Sequence, residues 1–433
     1  MKKLFAVAAA LAMLTTGCAV QATRATNVTA TSATLNATVH CTSGAAGEAW
    51  WELRQSGGAW KAIGGKSAVA CLAANRTLAI SQTVGSLSAG TKYEFRVAAA
   101  PRKGGPAAFS NASSFATPGA ARRFSPGLVS SADHSLSARA AGLLGSHHVR
   151  VEFAINTPVA QMRSTVAELA SHGTRALLLA GFEGRIPTQA EAQNLASWAA
   201  EFGPGGRFWA GRADGALAVQ QIEFGNETSF GYQYGDSYAD ASYRDRARAY
   251  ATRFAQARAA IGMSGRKVGL LAQADDGGSG SNAWVDSMFD AVPNLGQLVD
   301  GWTVHPYGPR SRWEPKLRRL IASTAANGAP ATIPIDVTEY GISSANGAPL
   351  TDNYGWPTNL TYAQAAAALD TTIAQMRADP AIGPRLRDFM IYAAHDLRAA
   401  GTTREREQNF GVLQNNLAAK GAYSTEVRNQ LSN

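Results

Sequence analysis

Hydrophobic and polar positions alternate along the first part of the chain, at Val28, Ala30, Ala33, Leu35, Ala37 and Val39 in one stretch and at Tyr93, Phe95 and Val97 in another. A period of two puts every second side chain on one face of an extended strand. With Gly and Ser clusters between the short runs, residues 23–118 are predicted to form an all-β sandwich. After Thr117-Pro118-Gly119 the pattern changes, and apolar runs alternate with segments of helical period. Val159, Met162, Val166 and Leu169 follow Asn156-Thr157-Pro158 and stop at Gly173. Thr188 and Glu191 form a capping-box pair ahead of Ala192, Leu195, Ala199 and Phe202, with Gly203-Pro204 as the stop. Tyr243, Ala247, Tyr250, Phe254 and Ile261 give a longer helix opened by Ser242, and Thr361 with Gln364 opens another through Leu369, Ile373 and Met376.

Between these lie eight candidate strands: 124–129, 149–153, 176–180, 218–224, 267–272, 299–305, 332–338 and 388–393. Eight βα units over residues 119–433 predict an α/β TIM (β/α)8 barrel. A doubly wound open sheet would want a Gly-rich turn after its first strand, and none is there. The expected architecture is therefore multidomain, a sandwich followed by a barrel.

Composition changes this picture little. The chain is 45% hydrophobic and 16% charged, which excludes a disordered polyelectrolyte. Its formal charge of +9 comes from scattered arginines, so solvated helix faces are expected and no nucleic-acid footprint. Met1-Lys2-Lys3-Leu4-Phe5 and the apolar run Ala6 to Leu14 read as a signal peptide over residues 1–22, too short to span a bilayer. Processing after Val20-Gln21-Ala22 and lipid attachment at Cys18, in Thr15-Thr16-Gly17-Cys18, are both open. A secreted or cell-surface protein, monomeric, is expected. In an exported chain Cys41 and Cys71 read as a disulfide, adding roughly 3 to 4 kcal/mol to the small domain.

Barrel chemistry sits where strands end, and two ends stand out. The fourth run finishes Glu223-Phe224-Gly225-Asn226-Glu227 and the seventh Asp336-Val337-Thr338-Glu339-Tyr340. Glycoside cleavage uses two carboxyl groups, one to protonate the leaving oxygen and one to attack or to activate water from the other face. Glu227 and Glu339 supply such a pair. One must be kept ionised and the other protonated until it reacts.

These residues resemble clan A of the retaining glycoside hydrolases, family 39 and its neighbours in particular, in which Asn-Glu ends strand four and Glu ends strand seven. The resemblance spans most of residues 120–433. It implies Glu227 as acid/base, Glu339 as nucleophile, Asn226 as partner of a sugar 2-hydroxyl and Arg150 as the cation that keeps the nucleophile ionised. His305 and Tyr307, in Val304-His305-Pro306-Tyr307-Gly308, match side chains that line the cleaved subsite. The clan's tryptophan after strand eight is missing from Ile391-Tyr392-Ala393-Ala394-His395, and Tyr392 or Trp356 is expected to replace it. The implied partner is a polysaccharide or oligosaccharide, with no cofactor and no metal; a non-catalytic carbohydrate-binding barrel is the alternative.

Leu87-Ser88-Ala89-Gly90-Thr91-Lys92-Tyr93 resembles the tyrosine corner of fibronectin type III domains, although the family's core tryptophan is absent from the second strand. Trp50 and Trp51 are expected to fill that core from the next strand, with sugar binding as the alternative. Phe230, Tyr232, Tyr234, Trp313 and Trp356 are candidates for stacking on sugar rings. Asp275-Asp276-Gly277-Gly278 lacks the further ligands of a Ca2+ loop and reads as a polar loop.

Overall fold

A computed structural model describes the chain except residues 1–17, 29–31, 42–46, 70–75, 89–90, 102–106, 118–123, 232–240, 276–278, 400–401 and 433. The chain divides into two compact units, Met1–Ala121 and Arg122–Asn433. No helix among the described residues is long and apolar enough to cross a membrane.

The first unit is built from antiparallel strands: β1 (Cys18–Ala22), β2 (Ala33–Cys41), β3 (Gly47–Gln55), β4 (Lys61–Val69), β5 (Arg76–Val84), β6 (Lys92–Pro101), β7 (Ala108–Phe109) and β8 (Ser113–Ala116). One sheet runs β1-β2-β5, and the other β4-β3-β6-β7 with β8 also on β6. Leu35, Val39, Phe95 and Val97 are fully buried, as the period-two pattern requires. Trp51 joins them while its neighbour Trp50 faces outward under the Lys66 ammonium, 4.9 Å from its ring centre. Core packing therefore holds for Trp51 alone. The hydroxyl of Tyr93 accepts a hydrogen bond from the Ser88 backbone N–H at 2.8 Å.

The last five residues of the expected leader form β1, pairing in register from Cys18 with Cys41 to Ala22 with Ala37. Val20 and Ala22 pack against the core, so small residues that suggest a cleavage site also satisfy the period of a strand. The expected Cys41–Cys71 disulfide lies outside the described residues.

The second unit is a closed barrel of eight parallel strands: β9 (Ser125–Val129), β10 (His148–Ala154), β11 (Arg175–Gly181), β12 (Gln221–Phe224), β13 (Gly269–Gln273), β14 (Gly301–Val304), β15 (Ile335–Tyr340) and β16 (Leu386–Ile391). The last closes on the first through Asp388 opposite Ser125. Around it run α1 (His134–Leu144), α2 (Val159–Ser171), α3 (Gln189–Phe202), α4 (Ala241–Met263), α5 (Ala283–Ala291), α6 (Arg310–Ala326), α7 (Tyr362–Ala378) and α8 (Ala422–Leu431).

Helix stripes and strand backs share one core, which holds Trp198, Trp284, Trp302, Phe224, Tyr250 and Phe254 fully buried. Each such ring withdraws roughly 150–250 Å2 from water, the main drive holding helix to barrel. Both expected capping boxes are present, Thr188 with Glu191 on α3 and Thr361 with Gln364 on α7. The pairing of β15 with β16 slips between Ile335 and Val337 and again between Val337 and Tyr340. Such irregularity breaks strict alternation, which lets consecutive Thr338 and Glu339 both reach the barrel mouth.

Candidate active site

Arg150 points inward from β10 and is 3% exposed, so its charge has to be compensated by protein. Its Nε donates to Glu223 Oε2 at 2.5 Å, Nη1 to Glu339 Oε1 at 2.6 Å and Nη2 to Asn226 Oδ1 at 2.8 Å. Burial alone would lower the guanidinium's pKa, but the charges of Glu223 and Glu339 more than reverse this, so Arg150 is a permanent cation. The other oxygen of Glu339 accepts from the Tyr307 hydroxyl at 2.8 Å. Burial, reinforced by the Glu339 charge, pushes the Tyr307 phenol well above its ordinary range and keeps it a donor.

Glu227 follows β12 on a turn that only particular residues permit. Gly225 has φ +83°, and a Cβ there would stand 2.4 Å from Thr228 Cγ2 and 2.9 Å from the Phe182 ring. Glu227 itself sits at φ +45°, a left-handed conformation that costs a non-glycine residue about 1 kcal/mol or more. His305 Nδ1 lies 2.9 Å from Glu227 Oε1 and His305 Nε2 3.2 Å from Thr338 Oγ1. The Thr338 hydroxyl gives its one hydrogen to Glu223 Oε1 at 2.8 Å, so it can only accept from His305. This assigns a proton to Nε2 and leaves the Nδ1–Glu227 contact holding one exchangeable proton.

Burial disfavours the imidazolium, yet the charges of Glu339 and Glu227 outweigh it and raise the pKa of His305. The His305 backbone is fixed by donating to Asp275 Oδ2 at 2.9 Å, while Asp275 Oδ1 meets the Lys316 ammonium at 2.8 Å. Asp275 is thus a buried anchor, which corrects the polar-loop reading. Residues 276–278 of that motif lie outside the described residues.

Oxygens of Glu227 and Glu339 lie within 4.8 Å of each other, beside a cavity of about 780 Å3 that both residues line. With His305 the two carboxyls have the spacing of a metal site. Both Glu339 oxygens, however, are already engaged, Oε1 by the Arg150 guanidinium and Oε2 by the Tyr307 hydroxyl. The donor set suits proton transfer better.

Arg150, Asn226, Glu227, His305, Tyr307, Glu339 and Tyr392 meet around this one cavity. Tyr392 approaches Tyr307 edge-on, with centroids 6.3 Å apart, and Tyr354 stacks on Tyr307 at 4.6 Å. Trp356 is not there: it is half-buried against the barrel's core, so Tyr392 alone takes the position after strand eight. Trp313 is also no sugar platform, being fully buried on the inner side of α6. Phe230 does reach the cavity, and Tyr232 and Tyr234 lie outside the described residues. Glu152, Glu223, Thr338, Arg312 and Tyr354 also belong to the site or its support and were not expected from the sequence. Period two was a usable signal for Glu152, two residues beyond Arg150 on the same strand.

The fold and site together define a (β/α)8 barrel with a carboxylate pair at its C-terminal mouth. No protein-family model matches the chain, and no curated protein does. Among solved structures it is similar to Bacteroides uniformis beta-glucuronidase 2 covalently bound to cyclophellitol-6-carboxylate aziridine, at 13% identity over 95% of this chain and 50% of that one, with a TM-score of 0.48. A putative beta-galactosidase from Bacteroides fragilis aligns at 12% identity over 95% and 60% of the two chains (TM-score 0.43). A GH2 beta-galacturonidase from Eisenbergiella tayi bound to galacturonate does so at 10% over 93% and 69% (TM-score 0.43). The chain spans about half the length of the first of these.

Proposed function

We propose that the chain is a retaining glycoside hydrolase acting on a polysaccharide or oligosaccharide, with Glu339 as nucleophile and Glu227 as acid/base. The observation that carries this is the approach of the two carboxyls within 4.8 Å, one clasped by a permanent cation and the other sharing a proton with His305. So close an approach suits the ~5 to 5.5 Å of double displacement better than the ~6.5 to 9.5 Å at which an inverting pair holds its water.

In the first step Glu227 gives its proton to the glycosidic oxygen as the bond to the anomeric carbon breaks. A Glu339 oxygen attacks that carbon from the opposite face and forms an ester with the sugar. The charge on Glu339 is then gone, Glu227 is a carboxylate, and it takes a proton from an incoming water as the water oxygen displaces Glu339. Arg150 and Tyr307 hold the nucleophile's oxygens in place, while Asn226, fixed by Arg150, keeps its amide N–H groups for a sugar hydroxyl. Glu339→Gln is expected to lower kcat by at least about a thousandfold on every substrate while sugar binding persists. Glu227→Gln should spare only glycosides whose leaving group needs no proton. Wild-type protein inactive on a broad glycan panel would overturn the proposal.

The first unit reads as a fibronectin type III-like module, supported by the bond between the Tyr93 hydroxyl and the Ser88 N–H at the start of β6. On this reading the protein acts outside the cytoplasm or on the cell surface, and the pairing of residues 18–22 in β1 favours processing at Cys18 over processing after Ala22.

A further inference from the structure

Most of the charged side chains around the cavity are compensated. Arg150 serves Glu223 and Glu339, Lys316 meets Asp275 at 2.8 Å, and Arg406 pairs with Asp352 and with Glu407. Two that line the same cavity have no hydrogen bond or ion pair to any described residue: the carboxyl of Glu152 and the guanidinium of Arg312. Both lie against glycines, where any side chain would collide with them. A Cβ on Gly181 would stand 2.3 Å from Glu152 Oε1. Cβ atoms on Gly308 and Gly355 would stand 2.7 Å from Arg312 Cδ and 2.8 Å from its Nε. The fold leaves room for two charges that have no hydrogen-bond or ion-pair partner among the described residues.

Their placement is opposed. Glu152 is on the second strand of an eight-strand ring, and Arg312 is in the first turn of the helix that follows the sixth, so they face each other across the mouth. The catalytic carboxyls, on the fourth and seventh strands, lie between. A guanidinium open to the cavity suits a planar or tetrahedral oxyanion, which it binds through paired N–H donors. An unpaired carboxyl suits hydroxyl donors and repels another anion. Burial, aided by the charges of Glu339 and Glu223 and opposed by Arg150, raises the pKa of Glu152.

We propose that the cavity takes a saccharide of mixed charge: one of the two sugars flanking the scissile bond carries an anionic group that pairs with Arg312, and the other carries none and donates hydroxyls to Glu152. This substrate class rests on the saccharide reading of the same site. A uronate carboxylate and a sulfate ester share the required chemistry.

The test is isothermal titration of the full chain with uncleaved, sulfur-linked disaccharides of one linkage: neutral, the two bearing a single C6 carboxylate, and the one bearing both. One of the two monoacids is expected to bind at least about tenfold tighter than the neutral compound and than the diacid. Arg312→Gln should erase its advantage, Arg312→Lys should keep part of it, and Glu152→Gln should lift the penalty on the diacid. An unfolding midpoint like that of the wild type reports that the Arg312→Gln variant is folded. A C6 sulfate at the favoured position, bound tighter or weaker than the carboxylate, says which anion the site prefers. Equal binding of neutral and monoacid compounds, no binding at all, or a preference that survives Arg312→Gln overturns the proposal. Turnover is not read, so a chain that shows this ranking and hydrolyses nothing removes the glycosidase reading alone, and one that cleaves neutral glycosides without acid preference removes only this one.

Discussion

Arg150 is the residue on which the site's electrostatics turn, because two buried carboxylates share its one cation. Arg150→Met is expected to cost about 3–5 kcal/mol of stability, read by denaturant unfolding, since it strands Glu223 with no compensating charge. Adding Glu223→Gln should recover part of the loss, and full additivity of the two changes would contradict a shared charge. His305 gives a pH signature. Its folded pKa lies above the ordinary histidine value of ~6.5, so the stability it confers is complete below that value and disappears as pH rises through the raised one. The stability gap between wild type and His305→Gln should therefore be wider at pH 5 than at pH 9; a gap that widens with pH would refute the sign. Glu227 and Glu339 were legible in the sequence because each ends an apolar run. Period two puts Glu152 on the face of Arg150, but that neither it nor Arg312 would meet a partner was not legible, since nothing local to a charged residue says what will meet it in three dimensions.

Elements were readable where they carried their own punctuation. The capping boxes of α3 and α7 mark both starts to the residue, whereas α6 begins after Pro309 without a side-chain cap and holds Pro315 inside, features that argue against a helix until the packing of Trp313 and Leu317 overrides them. α1 carries signals of the same kind, Asp133 as N-cap and Gly145 at φ +72° as stop. On α3, Glu191 accepts from Arg185 and from the Thr188 backbone, which holds its carboxyl down at about 2. A depressed carboxylate stabilises above its unfolded pKa, ~4.3, and loses that contribution as pH falls through the folded value. Glu191→Ala should then cost about 1 kcal/mol at pH 7, a figure reduced by its partial exposure, and next to nothing near pH 2. A cost independent of pH would point to helix propensity instead. For β1, if the chain is exported as proposed, N-terminal sequencing or mass analysis of the mature protein should find Cys18–Ala22 in place.

Among the described residues each compact unit has a hydrophobic core of its own, and the barrel adds a smaller cluster of Val129, Leu177, Leu271 and Met390. Calorimetry is expected to resolve two transitions, of which a sugar ligand should raise only the barrel's, because binding stabilises the unit that binds. A single cooperative transition shifted intact would contradict independent units. The two-part architecture was visible in the switch of hydrophobic period near Gly119; the loss of strict alternation at β15 that brings Thr338 beside Glu339 was not, because slipped pairing leaves no trace in composition. If the proposed chemistry holds, every turnover passes through a sugar ester on Glu339. The most direct measurement is the mass of the peptide containing Glu339 from Glu227→Gln protein quenched during turnover of a glycoside with a good leaving group, where the ester forms but the missing base slows its hydrolysis. One sugar residue on Glu339 is the expected result; turnover with an unmodified Glu339, or a sugar carried on another side chain, would contradict it.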